Sequence, residues 1–283
     1  MGIDYNGLQF LRFAARNGPL GRVATIGRQE IGPTREEVAN LLDIGPAYSH
    51  EKYCENLLSG YLGASCVESF DYSDYEGANH IADMNMPFGQ APPTYDTVID
   101  AGSLEHIYNT SQALHNVSQL CSVGGQILHM VPSSNYCGHG FWQFSPELFF
   151  SLYSPCNGYR DTRVFLVPAY RTDKWYEVKK PESGRRVLVV TFSPTFVYCR
   201  TVKVRASCGD KVQQSDYVQL WSDGAAGAQI NARPAWRAKI ASALQRSTLF
   251  DFAYIFYIKT SGRLALSSRN PNLTARVAYS LGE

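Results

Sequence analysis

No apolar run in the chain approaches the roughly 20 residues that a membrane-spanning helix needs, so no such span is expected. The opening stretch, MGIDYNGLQFLRFAARNG, lacks the basic and apolar regions of a secretory leader. The expectation is a soluble, cytoplasmic protein. The same start offers a glycine at position two but Asn6 where N-myristoylation wants Ser or Thr, which excludes that modification. Cysteine pairs at useful spacings are also missing. Cys54, Cys66, Cys121, Cys137, Cys156, Cys199 and Cys208 are odd in number and scattered, with no CxxC and no Cys/His pair at zinc spacing. Neither a disulfide framework nor a zinc module is expected, and the thiols read as reduced packing residues. There is no internal repeat, no low-complexity tract and almost no net charge, with 26 Lys and Arg against 25 Asp and Glu. That balance argues against a histone-like nucleic-acid coat or an acidic disordered tail.

What is present is 283 residues, 45% of them apolar, enough for a sizeable core in about two domains or one large α/β unit. The near-zero charge is a sum of unlike parts. Residues 1–159 hold 6 basic and 16 acidic residues, whereas residues 160–283 hold 20 and 9.

Periodicity orders the first half. Leu8 to Asn17 carries a helical apolar stripe closed by Asn17-Gly18-Pro19. Arg22 to Gly27 reads as a strand, and Thr34 with Glu37 makes a capping box for a helix running to Leu42. Glu51 to Gly63 reads as a helix, Ala64 to Asp71 and His80 to Asp83 as strands ending in acids, and Tyr95 to Ile99 as a strand followed by Asp100. Ser111 to Cys121 has helical period, and Gly124-Gly125 opens a strand over Gln126 to Pro132. This order predicts a mostly parallel sheet covered by helices. Beyond it, Ser145-Pro146 opens a short helix to Leu152, and Val187 to Phe192 with Phe196 to Val204 predict an antiparallel hairpin. Ala235 to Leu244 reads as a basic amphipathic helix and Ser222 to Ala228 as a loop.

In such sheets ligands sit beyond the carboxyl ends of the strands. Those ends carry Gly27-Arg28-Gln29, Asp71-Tyr72, Asp83-Met84 and Ala101-Gly102-Ser103. A carboxylate offers two acceptor oxygens to a vicinal diol, which suits Asp71 to a ribose. Asp83 can accept from the exocyclic amine of adenine, and the glycines let backbone approach a ligand.

The run Tyr95-Asp96-Thr97-Val98-Ile99-Asp100-Ala101-Gly102-Ser103-Leu104-Glu105-His106-Ile107 resembles the fourth-strand signature of class I S-adenosylmethionine-dependent methyltransferases, in which an Asp-x-Val strand runs into Leu-Glu-His. Phe70-Asp71-Tyr72-Ser73, Ala82-Asp83-Met84 and Ser122-Val123-Gly124-Gly125 are similar to that family's ribose acid, adenine acid and Gly-Gly turn, in the same order. The resemblance spans about residues 20–205. It implies a Rossmann-like, doubly wound, mostly parallel seven-stranded sheet with an antiparallel terminal hairpin, forming a methyltransferase domain over residues 1–205 with an extension, 206–283, packed on it. It implies S-adenosylmethionine as cofactor, held by Gly27, Arg28, Gln29, Asp71, Tyr72, Asp83, Met84, Ala101 and Gly102. One departure stands out. The family's Gly-x-Gly-x-Gly loop is reduced to Gly27, so either Arg28 or Gln29 meets the methionine carboxylate or Arg28 is a structural ion pair.

Transfer to a hydroxyl needs a base near neutrality. His106 follows the fourth strand, His139 follows the fifth, and Glu105 is placed either to orient His106 or to cap the next helix. Some relatives bind a divalent ion through Glu-x-x-Glu-His, but Gly102 stands where the first Glu belongs, so no metal is expected. Asn135 to Glu147, with Tyr136, Phe141, Trp142 and Phe144, resembles an aromatic lid segment of glycan and secondary-metabolite methyltransferases. The expected acceptor is a small molecule, a sugar or related hydroxyl compound. The basic residues Arg160, Arg163, Arg171, Lys179, Lys180, Arg185 and Arg186 either neutralise the acidic portion or meet an anionic acceptor. A nucleic-acid acceptor is disfavoured because no aromatic-interleaved basic module is present. A non-methylating protein on the same fold is the competing class.

Overall fold

Strands rich in Val, Ile and Thr alternate with capped helices, and the chain lays them into one large sheet with helices on both faces. The computed structural model describes residues 2–45, 48–181, 186–206, 212–215, 217–218 and 248–277. In chain order the elements are β1 (Gly2–Ile3), α1 (Tyr5–Arg16), β2 (Gly21–Ile26), β3 (Glu30–Ile31), α2 (Arg35–Leu42), α3 (Glu55–Tyr61), β4 (Ala64–Asp71), β5 (His80–Ile81), β6 (Tyr95–Asp100), α4 (Thr110–Leu120), β7 (Cys121–Ser134), α5 (Pro146–Leu152), β8 (Tyr159–Pro168), β9 (Lys174–Val178), β10 (Thr195–Lys203), α6 (Thr248–Ser261) and β11 (Leu273–Val277). A 3-10 turn, Leu104–His106, links β6 to α4.

The helix starts are set locally. Asp4 caps α1 by accepting from the Gly7 amide at 2.6 Å, and the capping box of Thr34 and Glu37 is present at α2. Ser145 caps α5 with Pro146 in its first turn, as the sequence predicts.

Nine strands pair in the order β11-β9-β8-β10-β7-β6-β2-β4-β5. From β5 to β7 all neighbours are parallel, while β10 lies antiparallel between β7 and β8. The fold is therefore α/β, Rossmann-like and doubly wound. Residues alternate across the sheet: Val23, Ile99 and Leu128 join the core under α1, whereas Ala24, Val98 and Ile127 join the core under α4 and α5. On the α1 face, Phe10 and Phe13 pack edge-on against Phe165, and Trp175 donates to Asn6 at 3.0 Å.

The distal edge differs from expectation. The antiparallel partners of β10 are β7 and β8, and residues 187–192 form no strand, with only Val190 bridging to Ala265. The real hairpin is β8 with β9, and β11 from the carboxy-terminal portion extends it, so the sheet has two strands more than seven. The helix expected at Ala235–Leu244 and the loop at Ser222–Ala228 lie outside the described residues. No described helix is long and apolar enough to cross a membrane. Cys54, Cys66, Cys121, Cys137, Cys156 and Cys199 are free thiols.

Candidate functional site

The strand order reverses direction between β2 and β6, so a crevice opens beyond their carboxyl ends. A cavity of about 290 Å³ lies there, and Gly27, Arg28, Gln29, Asp71, Tyr72, Asp83, Met84 and His106 all line it. Ser103, Phe70 and Ile107 complete its wall.

Close backbone packing shapes its floor. Gly27 adopts φ +74°, donates from its amide to the Phe70 carbonyl at 2.7 Å, and has Ser103 Oγ 2.7 Å from where a Cβ would sit. Ser103 donates to the Ile26 carbonyl at 2.6 Å, as does Gln29 Nε2. Gln29 is buried, and its Oε1 has no hydrogen-bond donor. Asp71 Oδ1 accepts from the Tyr72 amide at 2.7 Å, and Asp83 Oδ1 accepts from the amide and side chain of Asn85. Met84 supplies a buried apolar wall.

Arg28 is engaged elsewhere. Its Nε donates to Glu55 at 2.7 Å, its Nη1 to the Glu76 carbonyl at 2.7 Å, and its guanidinium lies 4.1 Å from the Tyr53 ring centre. Of the two roles the sequence leaves open for Arg28, the geometry shows the ion pair.

Ala101, Gly102, Glu105 and His139 line a second, smaller cavity of about 160 Å³ instead. Its other walls come from Tyr136, of the aromatic segment singled out in the sequence, and from Asp4, Phe196 and Tyr198, which the sequence reading did not single out. Asp4 before α1 carried a capping signal; Phe196 and Tyr198, both on β10, carried none. Tyr136 packs 4.9 Å from Phe196, and Tyr198 donates to Asp4 at 3.3 Å.

His106 and His139 meet at the boundary of the two cavities with ring centres 5.1 Å apart. The His106 pKa is lowered by desolvation first and then by His139. Glu105 is buried, and its carboxyl is pushed up to about 8, by burial first and then by the charge of Asp100. His139 Nε2 stands 3.5 Å from Glu105 Oε1, an ion-pair distance without hydrogen-bond geometry, and neither Glu105 carboxylate oxygen accepts a hydrogen bond from the described residues.

The aromatic segment after β7 divides its residues. Phe144 is core, Tyr136 turns to the smaller cavity, and Trp142 donates from its ring to the Ile107 carbonyl at 3.0 Å. A larger cleft of about 740 Å³ between α4 and α5 contains none of the strand-end residues.

No known family and no curated protein matches the chain. Among solved structures it is similar to the N-methyltransferase NodS from Bradyrhizobium japonicum, at 10% identity over 71% of this chain and 94% of that one, TM-score 0.38. It is similar to a 1,6-didemethyltoxoflavin-N1-methyltransferase from Burkholderia thailandensis, at 15% identity over 71% and 78%, TM-score 0.36. An rRNA methylase from Streptococcus thermophilus matches at 11% identity over 69% and 95%, TM-score 0.33. With identities and TM-scores this low, the likenesses assign neither a family nor an activity to this chain.

Proposed function

We propose that the chain is an S-adenosylmethionine-dependent methyltransferase acting in the cytoplasm on a small-molecule hydroxyl, such as that of a sugar or secondary metabolite. The observation that carries this reading is the set of groups at the switch-point cavity. Asp71 keeps Oδ2 for a ribose diol, Asp83 keeps Oδ2 for an adenine amine, and the bare Gly27 admits a ligand against the backbone. The unsatisfied Gln29 Oε1 fits the ammonium group of a methionine moiety, because a buried acceptor without a donor is costly until a ligand supplies one. These residues fit the cofactor, with Gln29 turned toward the ammonium rather than the carboxylate that the sequence reading gave to Arg28 or Gln29.

The cofactor, when bound, supplies an electrophilic sulfonium methyl. The chain then has to align an acceptor and remove its proton. Glu105, His106 and His139 stand at the boundary between the donor cavity and the smaller aromatic cavity, which would take the acceptor. Desolvation first and then His139 lower the His106 pKa, which favours the neutral ring. Residues 1–205 would form the catalytic unit, with β11 of the remaining segment closing its sheet edge.

The test is calorimetric titration of the purified chain with S-adenosylhomocysteine. Saturable binding that is lost in Asp71→Ala is the expected result. Unchanged affinity in the variant removes the site assignment, and binding without transfer to any offered hydroxyl or to RNA favours the non-methylating class.

A further inference from the structure

Glu105, His106 and His139 converge more closely than an acid–base pair requires. One carboxylate oxygen and one nitrogen from each ring all lie within 4.8 Å of one another. The arrangement is built. The amides of Phe141 and Trp142 donate to the Glu105 carbonyl at 2.7 and 3.3 Å, and Gly140 passes so near that a Cβ would stand 2.7 Å from that oxygen. These contacts fasten the loop carrying His139 to the turn carrying Glu105 and His106.

Glu105 supplies the independent sign of a ligand. Its side chain is 1% exposed, yet both carboxylate oxygens lack a hydrogen-bond donor among the described residues. A buried carboxylate ordinarily collects donors, and Asp100, just upstream, does so. It accepts from the Ser103 and Leu104 amides and faces His129 Nδ1 at 3.0 Å. A structural role accounts for Asp100 and leaves Glu105 unexplained.

We propose that Glu105, His106 and His139 bind a divalent first-row transition-metal ion. Two imidazoles and one carboxylate suit Zn²⁺, Co²⁺, Fe²⁺ or Mn²⁺ better than Ca²⁺ or Mg²⁺, which favour oxygen-only ligand sets. Bonds of about 2.0–2.2 Å draw such ligand atoms to roughly 3–4 Å apart, a contraction that rotation of the exposed His139 side chain provides. Three protein ligands leave positions open for a further ligand.

The ion's catalytic role, unlike the site itself, rests on the methyl-transfer reading. The ion would bind the acceptor hydroxyl and acidify it, releasing its proton to water. The oxygen then forms the new bond to the methyl carbon as the carbon–sulfur bond breaks and the electron pair stays on the departing thioether. In that step the histidines would serve as ligands, and the ion takes over the proton removal otherwise assigned to a histidine base.

Full-length protein stripped with a chelator is titrated with Co²⁺, followed by visible absorption and calorimetry. One Co²⁺ per chain is expected, displaced by Zn²⁺ and not by Mg²⁺. Affinity should fall at least about tenfold in Glu105→Gln and in His139→Ala, with Tm unchanged or raised. Cys137→Ser, which removes an exposed thiol two positions from His139, should bind as the wild type does. Absence of saturable Co²⁺ binding, binding that survives both ligand variants, or binding lost only in Cys137→Ser overturns the proposal. S-adenosylhomocysteine affinity measured in parallel separates the two readings: its absence with Co²⁺ binding intact sinks the donor site alone.

Discussion

A hydrogen atom in place of a methyl group decides what Gly27 can do. Its φ of +74° is left-handed, and the missing Cβ would collide with Ser103 Oγ. Gly63 shares that φ but has open space around it. Gly27→Ala should therefore cost more than Gly63→Ala in denaturant unfolding, about 1–3 kcal/mol for the backbone strain at either site plus the steric term at Gly27. Only the first change should weaken S-adenosylhomocysteine binding, and equal losses from both would show that the contact with Ser103 is immaterial. Gly2 is a second close approach, its absent Cβ lying 2.3 Å from the Glu30 carbonyl oxygen where β1 pairs with β3. At this scale Asp71 and Asp83 were legible, because a carboxylate following a strand announces itself in sequence. The unsatisfied oxygens of Gln29 and Glu105 were not, since a missing donor is a property of everything packed around the group.

The turn after β6 depends on an element that never touches either cavity. Asp100, His129 and Tyr153 form a fully buried chain, with His129 Nε2 2.6 Å from the Tyr153 hydroxyl. It ties β6, β7 and α5 together, and through the two amides held by Asp100 it fixes the start of the 3-10 turn. Asp100→Ala should destabilise the fold by about 3–5 kcal/mol, the range for breaking one side of a buried polar pair, and thermal unfolding would measure it. A loss below 1 kcal/mol would mean that packing alone holds this turn. Elements were readable where local signals ruled: the capped helices and the strands β2, β4 and β6 match their expected positions to within a few residues. They were misread where pairing is decided at a distance. Val187-Leu188-Val189-Val190 has strand composition, but β8 occupies the place beside β10, and the arginines at its start, Arg160 and Arg163, disguised it as a basic surface.

Across the whole molecule the unlike charges of the two chain portions become two sides of one sheet. The switch-point cavity belongs to the acidic portion, whereas β8, β9, β10 and β11 come from the basic one. Within the basic portion, one carboxylate gathers two of the arginines. Glu177 on β9 binds Arg163 of β8 at 2.8 Å and Arg276 of β11 at 2.7 Å, each diagonal to it across the strands. At the seam, Arg200 donates to Gln126 at 2.7 Å, and Lys203 to the Ser118 and Cys121 carbonyls at 2.7 and 2.9 Å.

Burial alone would raise the Glu177 pKa, but the two guanidiniums bring it below its ordinary 4.5. A carboxylate lowered in the folded state contributes stability above the unfolded pKa and loses it as pH falls through the folded one. Glu177→Gln should therefore cost about 1–3 kcal/mol at pH 7, with the gap in Tm from the wild type closing as pH drops below 4.5. A gap that persists at pH 3 would show that packing, not charge, is what the variant loses.

The antiparallel insertion of β10 between β7 and β8 also sets an order in time. Every residue lining the proposed donor cavity lies between positions 26 and 107, on or just after strands that pair with one another. The smaller cavity needs residues 196 and 198, and β7 keeps one edge uncovered until β10 has been synthesised. A chain leaving the ribosome, which folds in the direction of synthesis, holds all the parts of the proposed donor site before it holds the smaller cavity proposed for the acceptor. Nearly a hundred residues of translation separate the two, an interval in which the open edge of β7 is the part of the nascent protein most in need of protection.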